Sequence, residues 1–334
     1  MPSRRTPSGH KADEIQSMSS RFRTSYVHCL FGVPLLWVHL AVAQTTPSST
    51  ELQVISPAKQ YPEIADLVRA NKWTDVVRLT GELHRADPAN PTVLYWAGTA
   101  HLQLHEPVAA VQAFRSAERL GLDTALLHEG LGLAYYDLNQ FVLFEEQMKK
   151  AATSDPNDSK PYYYLGFYRW TIRSDPSAAL EFFEKAIHLA PNDWKSVYQS
   201  GNCLEQLGRL DDARNRYETA ISQLEKSGAH FGWPYQGMAR LLLDENPQKA
   251  LELAKKAAQL EPDEPSNHLE LADVYQRLGN LQDAIRETQI AASTNPNDSK
   301  IHYALFKLYR HTGDPRAQSE LDVFKQTKAL YDSD

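Results

Sequence analysis

The chain has 334 residues, 42% of them hydrophobic and 23% charged, with a net charge of −7 and two cysteines. That is ordinary composition for a soluble globular protein. The acidic balance argues against nucleic acid as a partner, because a phosphate backbone calls for a basic face.

Residues 1–25 are polar and basic, with Arg4, Arg5, Lys11, Arg21 and Arg23, and the run YVHCLFGVPLLWVHLAVAQ follows over Tyr26–Gln44. A basic start, a short apolar run and Ala41-Val42-Ala43 ahead of Gln44 predict a secretory signal peptide over 1–43, cut after Ala43. Counted from Met18, the leader has a more usual 26 residues. The competing reading is an uncleaved anchor helix. The run holds His28, Pro34 and His39 and is at the low end for spanning a bilayer. Cys29 lacks the small preceding residues of a lipid-attachment site. Cleavage removes five basic and two acidic side chains and moves the net charge from −7 to −10. Cys203 is then the one cysteine left, so no internal disulfide forms, and it is expected to be a buried small apolar residue.

Residues 44–60 are rich in Thr, Ser and Pro and predict a flexible linker. From 61 to 334 the chain repeats itself at about 34 residues, and a period of that size decides the architecture. Gly98, Gly132 and Gly166 recur 34 apart, and Ala117, Ala151, Ala186, Ala220, Ala257 and Ala291 recur at steps of 34, 35, 34, 37 and 34. The string PNDSK stands at Pro156–Lys160 and again at Pro296–Lys300, with PNDWK at Pro191–Lys195 between them. Eight units follow: 61–90, 91–124, 125–158, 159–193, 194–229, 230–264, 265–298 and 299–334. Each predicts two short amphipathic helices and a turn.

The recurring residue types have mechanical reasons. Gly98, Gly132 and Gly166, facing Ala110, Ala179, Ala213, Ala250 and Ala284, are expected to let paired helices approach closely. Tyr135, Leu204, Tyr275, Phe114, Phe183 and Tyr217 fill the seam around them. Proline stops a second helix, and the Asn or Asp after it caps the next first helix. Pro91, Pro161 and Pro265 fit the first helical turn, where proline is tolerated. Gly208 and Gly279 supply left-handed turn residues. The first unit is degenerate, as an end repeat should be, and Pro315–Leu330 predicts a capping helix with Leu321, Phe324 and Leu330 on one side. Glu320, Asp322, Lys325 and Lys328 are expected on its solvated face.

This pattern resembles the tetratricopeptide repeat family over about 270 residues. The resemblance implies an all-α, right-handed superhelical solenoid of antiparallel helix pairs in one continuous array. Some units depart from the pattern. Phe144 replaces a usual small residue, Leu122 replaces a closing proline, the 220–237 junction is long, and the turns Arg173–Ser177 and Asp244–Gln248 each carry an extra residue.

No phosphate loop, nucleophile elbow or cysteine pair is present in the sequence. His101 and His105 are spaced as a metal half-site but lack the glutamate of a zinc helix; His101 is expected in the core and His105 in a turn. Glu145-Glu146 and Asp211-Asp212 are assigned to solvated faces and helix starts. Asn157 and Asn297 fit a glycosylation pattern that helix capping already explains. What remains is a surface. The resemblance implies a concave groove lined by first helices, and the positions that map there include Tyr95, Glu129, Tyr136, Tyr163, Phe167, Trp170, Tyr198, Asn202, Asp273, Tyr303, Lys307 and Arg310. The competing reading packs some of these aromatics between neighbouring first helices. The Lys/Asn set that some members use to clamp a terminal carboxylate is absent as a set; Lys195 with Asn202 is a fragment of it.

The expectation is an exported, periplasmic or secreted scaffold that binds protein or peptide partners, without catalysis, cofactor or metal. The alternative is a membrane-anchored structural or assembly factor of an envelope or secretion complex, which requires the N-terminal segment to stay uncleaved.

Overall fold

The computed structural model describes residues 61–331; the expected leader and linker over 1–60 lie outside the described residues. Among the described residues there are sixteen helices and no strand. They divide into two compact units that meet between Pro191 and Asn192. The first holds α1 Pro62–Arg69, α2 Trp73–Ala86, α3 Pro91–Gln103, α4 Pro107–Arg119, α5 Ala125–Asp137, α6 Phe141–Ser154, α7 Lys160–Thr171 and α8 Pro176–Leu189. The second holds α9 Trp194–Gln206, α10 Leu210–Ser227, α11 Trp233–Leu242, α12 Pro247–Leu260, α13 Pro265–Arg277, α14 Leu281–Thr294, α15 Ser299–Thr312 and α16 Ala317–Tyr331. The eight repeat units therefore become eight helical hairpins, four in each compact unit.

Local chemistry sets the ends of these helices. The Asn90 side chain accepts from the backbone N–H of Thr92 and Val93, and Asp193 does the same for Lys195 and Ser196. Asp298 accepts from Lys300 N–H and Asp158 from Lys160 N–H, which is the work of the Asn-Asp pair in the recurring PNDSK string. Within the hairpins the turn needs one residue with positive φ. Gly208 (74°) and Gly279 (79°) supply it without strain. Asn71, His105, Asn139 and Ser174 take the same conformation at 50–58° in other turns. His105 thus serves the backbone geometry of the α3–α4 turn.

The hairpins have an inner and an outer layer. A second helix such as α4 buries one stripe, Ala110, Phe114 and Ala117. A first helix such as α5 buries nine of its thirteen residues. The reason is that a first helix packs on its own partner, on the preceding second helix of the same compact unit and, for α3–α5, α9–α11 and α11–α13, on the next first helix.

In the α3–α4, α7–α8 and α9–α10 hairpins the close contact differs from the expected glycine-to-alanine pairing. The glycines face the largest side chain of the second helix. A methyl built on Gly98 would stand 2.7 Å from the Phe114 ring, on Gly166 2.9 Å from Phe183, and on Gly201 2.7 Å from Tyr217. The alanines Ala110, Ala179, Ala213, Ala250 and Ala284 are fully buried beside these contacts. The α5–α6 pair is altered by exchange. Phe144 fills the usual small slot, packing against Tyr136 and Tyr168 at 5.3 Å. The usual aromatic slot then holds flexible Met148, against Gly132.

The long junction is an extended α10 of eighteen residues ending at Gly228 (φ 68°), with Phe231 packed between Trp194 and Trp233 at 5.2 and 5.6 Å. At the far end α16 packs on α15. Glu320, expected on the solvated face, instead turns inward and is hydrogen-bonded to His302 Nδ1 at 2.8 Å, while Asp322, Lys325 and Lys328 are exposed.

Candidate interaction surface

Because the first helices are enclosed on most sides, few of their side chains reach solvent. In the first compact unit Tyr95 is buried against Trp96 and Phe114. Glu129 is buried, with its Oε2 3.9 Å from Lys160 Nζ. Tyr136 is half-buried, and its hydroxyl lies 3.5 Å from Thr171 Oγ1. On α7, Tyr163 and Trp170 are largely buried and Phe167 is the half-open member of the stripe. Tyr163 and Phe167 stack at 6.4 Å, and Phe167 meets Trp170 edge-on at 6.4 Å. The structure thus brings the three rings together on one face, most of it sunk below the surface. Asp137, at the end of α5, has its carboxyl pushed up to about 6 by burial, against the pull of His105.

In the second unit the inner residues separate into a closed network and an open wall. Asn202 is 2% exposed and Glu205 7%. Arg240 donates from Nε to Glu205 Oε1 at 2.9 Å, and from a terminal nitrogen to Glu205 Oε2 at 2.9 Å and Asn202 Oδ1 at 3.1 Å. The Tyr217 hydroxyl lies 2.6 Å from Glu205 Oε2. Three helices, α9, α10 and α11, are tied together in this way. Tyr198 is buried beside the network, and burial raises its phenol pKa. Glu270 on α13 senses the same guanidinium. Burial pushes its carboxyl up to about 8, against the pull of Arg240 and with Asp273 and Glu205 adding like charge.

The open wall belongs to α13 and α15. Asp273, Gln276, Tyr303, Lys307 and Arg310 are all exposed, Tyr303 at 42%. Asp273 reaches solvent, yet the protein crowded around it raises its carboxyl pKa, against the pull of Lys307. Lys307 Nζ stands 5.3 Å over the Tyr303 ring, and the Arg310 guanidinium 5.3 Å over Phe306. Tyr303 also packs on Phe324 of α16 at 5.1 Å, so the capping helix holds this wall in place. Arg240 could not be placed from spacing alone, since it reaches Glu205 from 35 residues away.

Elsewhere the side chains are occupied structurally. His101 Nδ1 is hydrogen-bonded to Glu106 Oε2 at 2.6 Å. Glu145, expected on a solvated face, is half-buried and accepts from both Lys149 and Arg169 at 2.8 Å. Cys203 is fully buried, which raises its thiol pKa and leaves it unreactive. Among the described residues no group of three His, Cys, Asp or Glu is arranged to hold a metal ion. No described helix is long and apolar enough to cross a membrane.

Two family models, both described as tetratricopeptide repeat, match residues 172–231 with 241–308, and 95–159. A curated relative, tetratricopeptide repeat protein 37 of Xenopus laevis, is 24% identical over 191 residues, covering 56% of this chain and 12% of its own length. The chain therefore spans a small part of that relative. Among solved structures, that of the APC/C hetero-tetramer Cut9–Hcn1 aligns with a TM-score of 0.61 at 16% identity, over 79% of this chain and 52% of its own. Yeast Tom70 aligns at 0.57 with 18% identity, over 78% and 55%. PilF of Pseudomonas aeruginosa aligns at 0.51 with 19% identity, over 63% and 93%. The chain belongs to the tetratricopeptide repeat family.

Proposed function

We propose that this chain is an exported, non-catalytic scaffold that binds protein or peptide partners on the inner faces of its first helices. The observation that carries the reading is the α13–α15 wall, where an inner layer otherwise closed leaves Asp273, Gln276, Tyr303, Lys307 and Arg310 open to solvent. A large aromatic with cations beside it and a carboxylate within electrostatic reach is a composition suited to partner recognition. The wall is held by packing on α16, so little ordering is needed on binding. Export rests on the leader pattern ending at Ala41-Val42-Ala43.

Affinity capture from the native compartment, with the exported chain as bait, tests the reading. Tyr303→Ala with Lys307→Ala should lose the captured partner, whereas Lys149→Ala with Lys150→Ala on the second helix α6 should keep it. Retention of the same partner at full strength by the first variant refutes the inner-face site. Intact mass of the exported protein tests the leader. Gln44 as first residue supports cleavage, and retention of 26–43 in the membrane fraction replaces export by the anchored reading.

A further inference from the structure

Three first helices carry a buried histidine as their fourth residue: His128 on α5, His268 on α13 and His302 on α15. In each ring both nitrogens are engaged. His268 Nδ1 lies 2.9 Å from Glu287 Oε2 on α14, and its Nε2 lies 2.8 Å from the Pro262 carbonyl. One repeat later His302 does the same. Its Nδ1 lies 2.8 Å from Glu320 Oε2 on α16, and its Nε2 lies 2.8 Å from the Pro296 carbonyl. Each of these two rings therefore ties a first helix to its second helix and to the turn before it.

The partners decide which form of the ring fits. An ionised carboxylate and a carbonyl both accept, so both ring nitrogens must donate, and a neutral imidazole has a single N–H. A neutral ring would leave its lone pair against an oxygen in a buried site, where an unmade bond is costly. The folded hairpins therefore favour the imidazolium at 268 and 302. His128 is built differently. Its Nε2 lies 2.7 Å from Asp123 Oδ1, and its Nδ1 lies 2.8 Å from the Gln147 side-chain oxygen. Gln147 is the seventh residue of α6, as Glu287 is of α14. An amide can equally present its nitrogen, so a neutral His128 keeps both bonds. Around the two clasped rings, Glu261 accepts from Gly232 N–H, Glu264 from Ser266 N–H and Asp298 from Lys300 N–H. Arg286 pairs with Asp283, and Arg316 with Asp314. The charge on each ring is thus answered by Glu287 and by Glu320.

We propose that His268 and His302 are proton-dependent clasps, which hold the last two hairpins closed as imidazolium and each lose a bond when the ring is neutral. Imidazole exchanges its second proton between about pH 5 and 8. A site that favours the charged ring adds stability that is complete in acid and is lost as pH rises through and past that range. Both rings are buried and neither belongs to the exposed α13–α15 wall, so the inference holds whether or not that wall takes a partner.

Two measurements on the whole chain test it. In ¹⁵N-histidine protein at about pH 7.5, where a free imidazole is mostly neutral, both ring nitrogens of His268 and His302 should show the imidazolium shift. Their resonances are assigned by loss in His268→Gln and His302→Gln. The neutral pattern in either ring overturns the inference. The second measurement is native-state amide exchange, corrected for the intrinsic effect of pH and read by mass spectrometry for α13 and α15 separately. Every chain compared carries Glu270→Gln, because Glu270 on α13 also releases a proton in this range. Between about pH 6 and pH 9 the opening of both helices should rise about tenfold, the loss of one hydrogen bond to a charged group. Adding Glu287→Gln gives α13 the amide partner that His128 has. It should hold the opening of α13 constant across that range while that of α15 still rises; Glu320→Gln should do the reverse. Opening that ignores pH, or that rises equally with and without the amide, overturns the inference. The ring-nitrogen spectrum decides the matter if an amide variant fails to fold.

Discussion

Gly98→Ala and Gly132→Ala change the same repeat position by the same methyl, and the structure predicts opposite outcomes. Each replaces a helix-interior glycine, which favours the helix by about 1 kcal/mol. The methyl at 98 would lie 2.7, 2.8 and 2.9 Å from three atoms of the Phe114 ring. That ring cannot withdraw freely, because a Cβ on Gly130 of the next hairpin would already stand 2.6 Å from its far edge. Phe114 is 1% exposed and gripped from both sides. Overpacking a rigid contact costs about 1–3 kcal/mol or more, so after the helix gain Gly98→Ala should be net destabilising by up to about 2 kcal/mol. At 132 the clashing atom is the terminal methyl of Met148, 2.5 Å away, at the end of a flexible side chain. Met148 can swing aside, leaving a net effect between neutral and about 1 kcal/mol stabilising. At about 2–4 °C per kcal/mol for a protein of this size, thermal unfolding followed by circular dichroism should lower the midpoint for Gly98→Ala and hold or raise it for Gly132→Ala. Equal losses at both positions would refute the assignment of rigid and yielding partners.

Three further substitutions address the second unit. The Glu270 carboxyl rises to about 8 in the folded chain, so the fold takes up a proton that the unfolded chain lacks. Its contribution is fully present below the ordinary glutamate range and is lost as pH rises toward about 8. Glu270→Gln should therefore raise the melting midpoint at pH 8 and flatten its fall between pH 5 and 8; an unchanged pH profile would clear Glu270 of that role. Arg240→Ala leaves Glu205 buried without its two-pronged partner and should cost about 3–5 kcal/mol. Arg214→Ala removes an ion pair whose Glu245 partner is largely exposed and should cost less than about 1 kcal/mol. Similar denaturation midpoints for the two arginine variants would contradict the network.

The repeat was legible because its signals are local. Closing prolines, Asn-Asp caps and left-handed turn residues act within a few positions of where they are written, and all eight hairpins follow from them. The partner of each glycine was harder to read. Gly98 meets Phe114 across sixteen residues, and the second clamp, Gly130, comes from the following hairpin, which no spacing within one unit announces. Phe144 reads in the sequence as a departure; only the packing shows that Met148 gives back the space. The inner face was legible as a set of positions, but not in its exposure. Asn202 and Glu205 occupy groove positions, yet Arg240 draws them into a closed network. Tyr163 and Trp170 share a stripe with Phe167 while being far more buried than it. Packing on other helices decides that burial, as where Tyr163 meets Phe183 or Asn202 meets Arg240, and spacing along one helix does not announce it.

The central claim is that partners meet the inner layer. A photo-crosslinking amino acid placed singly at Phe167, Tyr303 and Arg310 on first helices, and at Val142, Lys149 and Leu210 on second helices, tests it in the producing cell. Irradiation followed by mass spectrometry identifies what is joined to each site. The account predicts adducts with the same protein partner from Tyr303 and Arg310, and none from the second-helix positions. Adducts confined to Val142, Lys149 or Leu210 would place the partner on the outer layer and contradict the account.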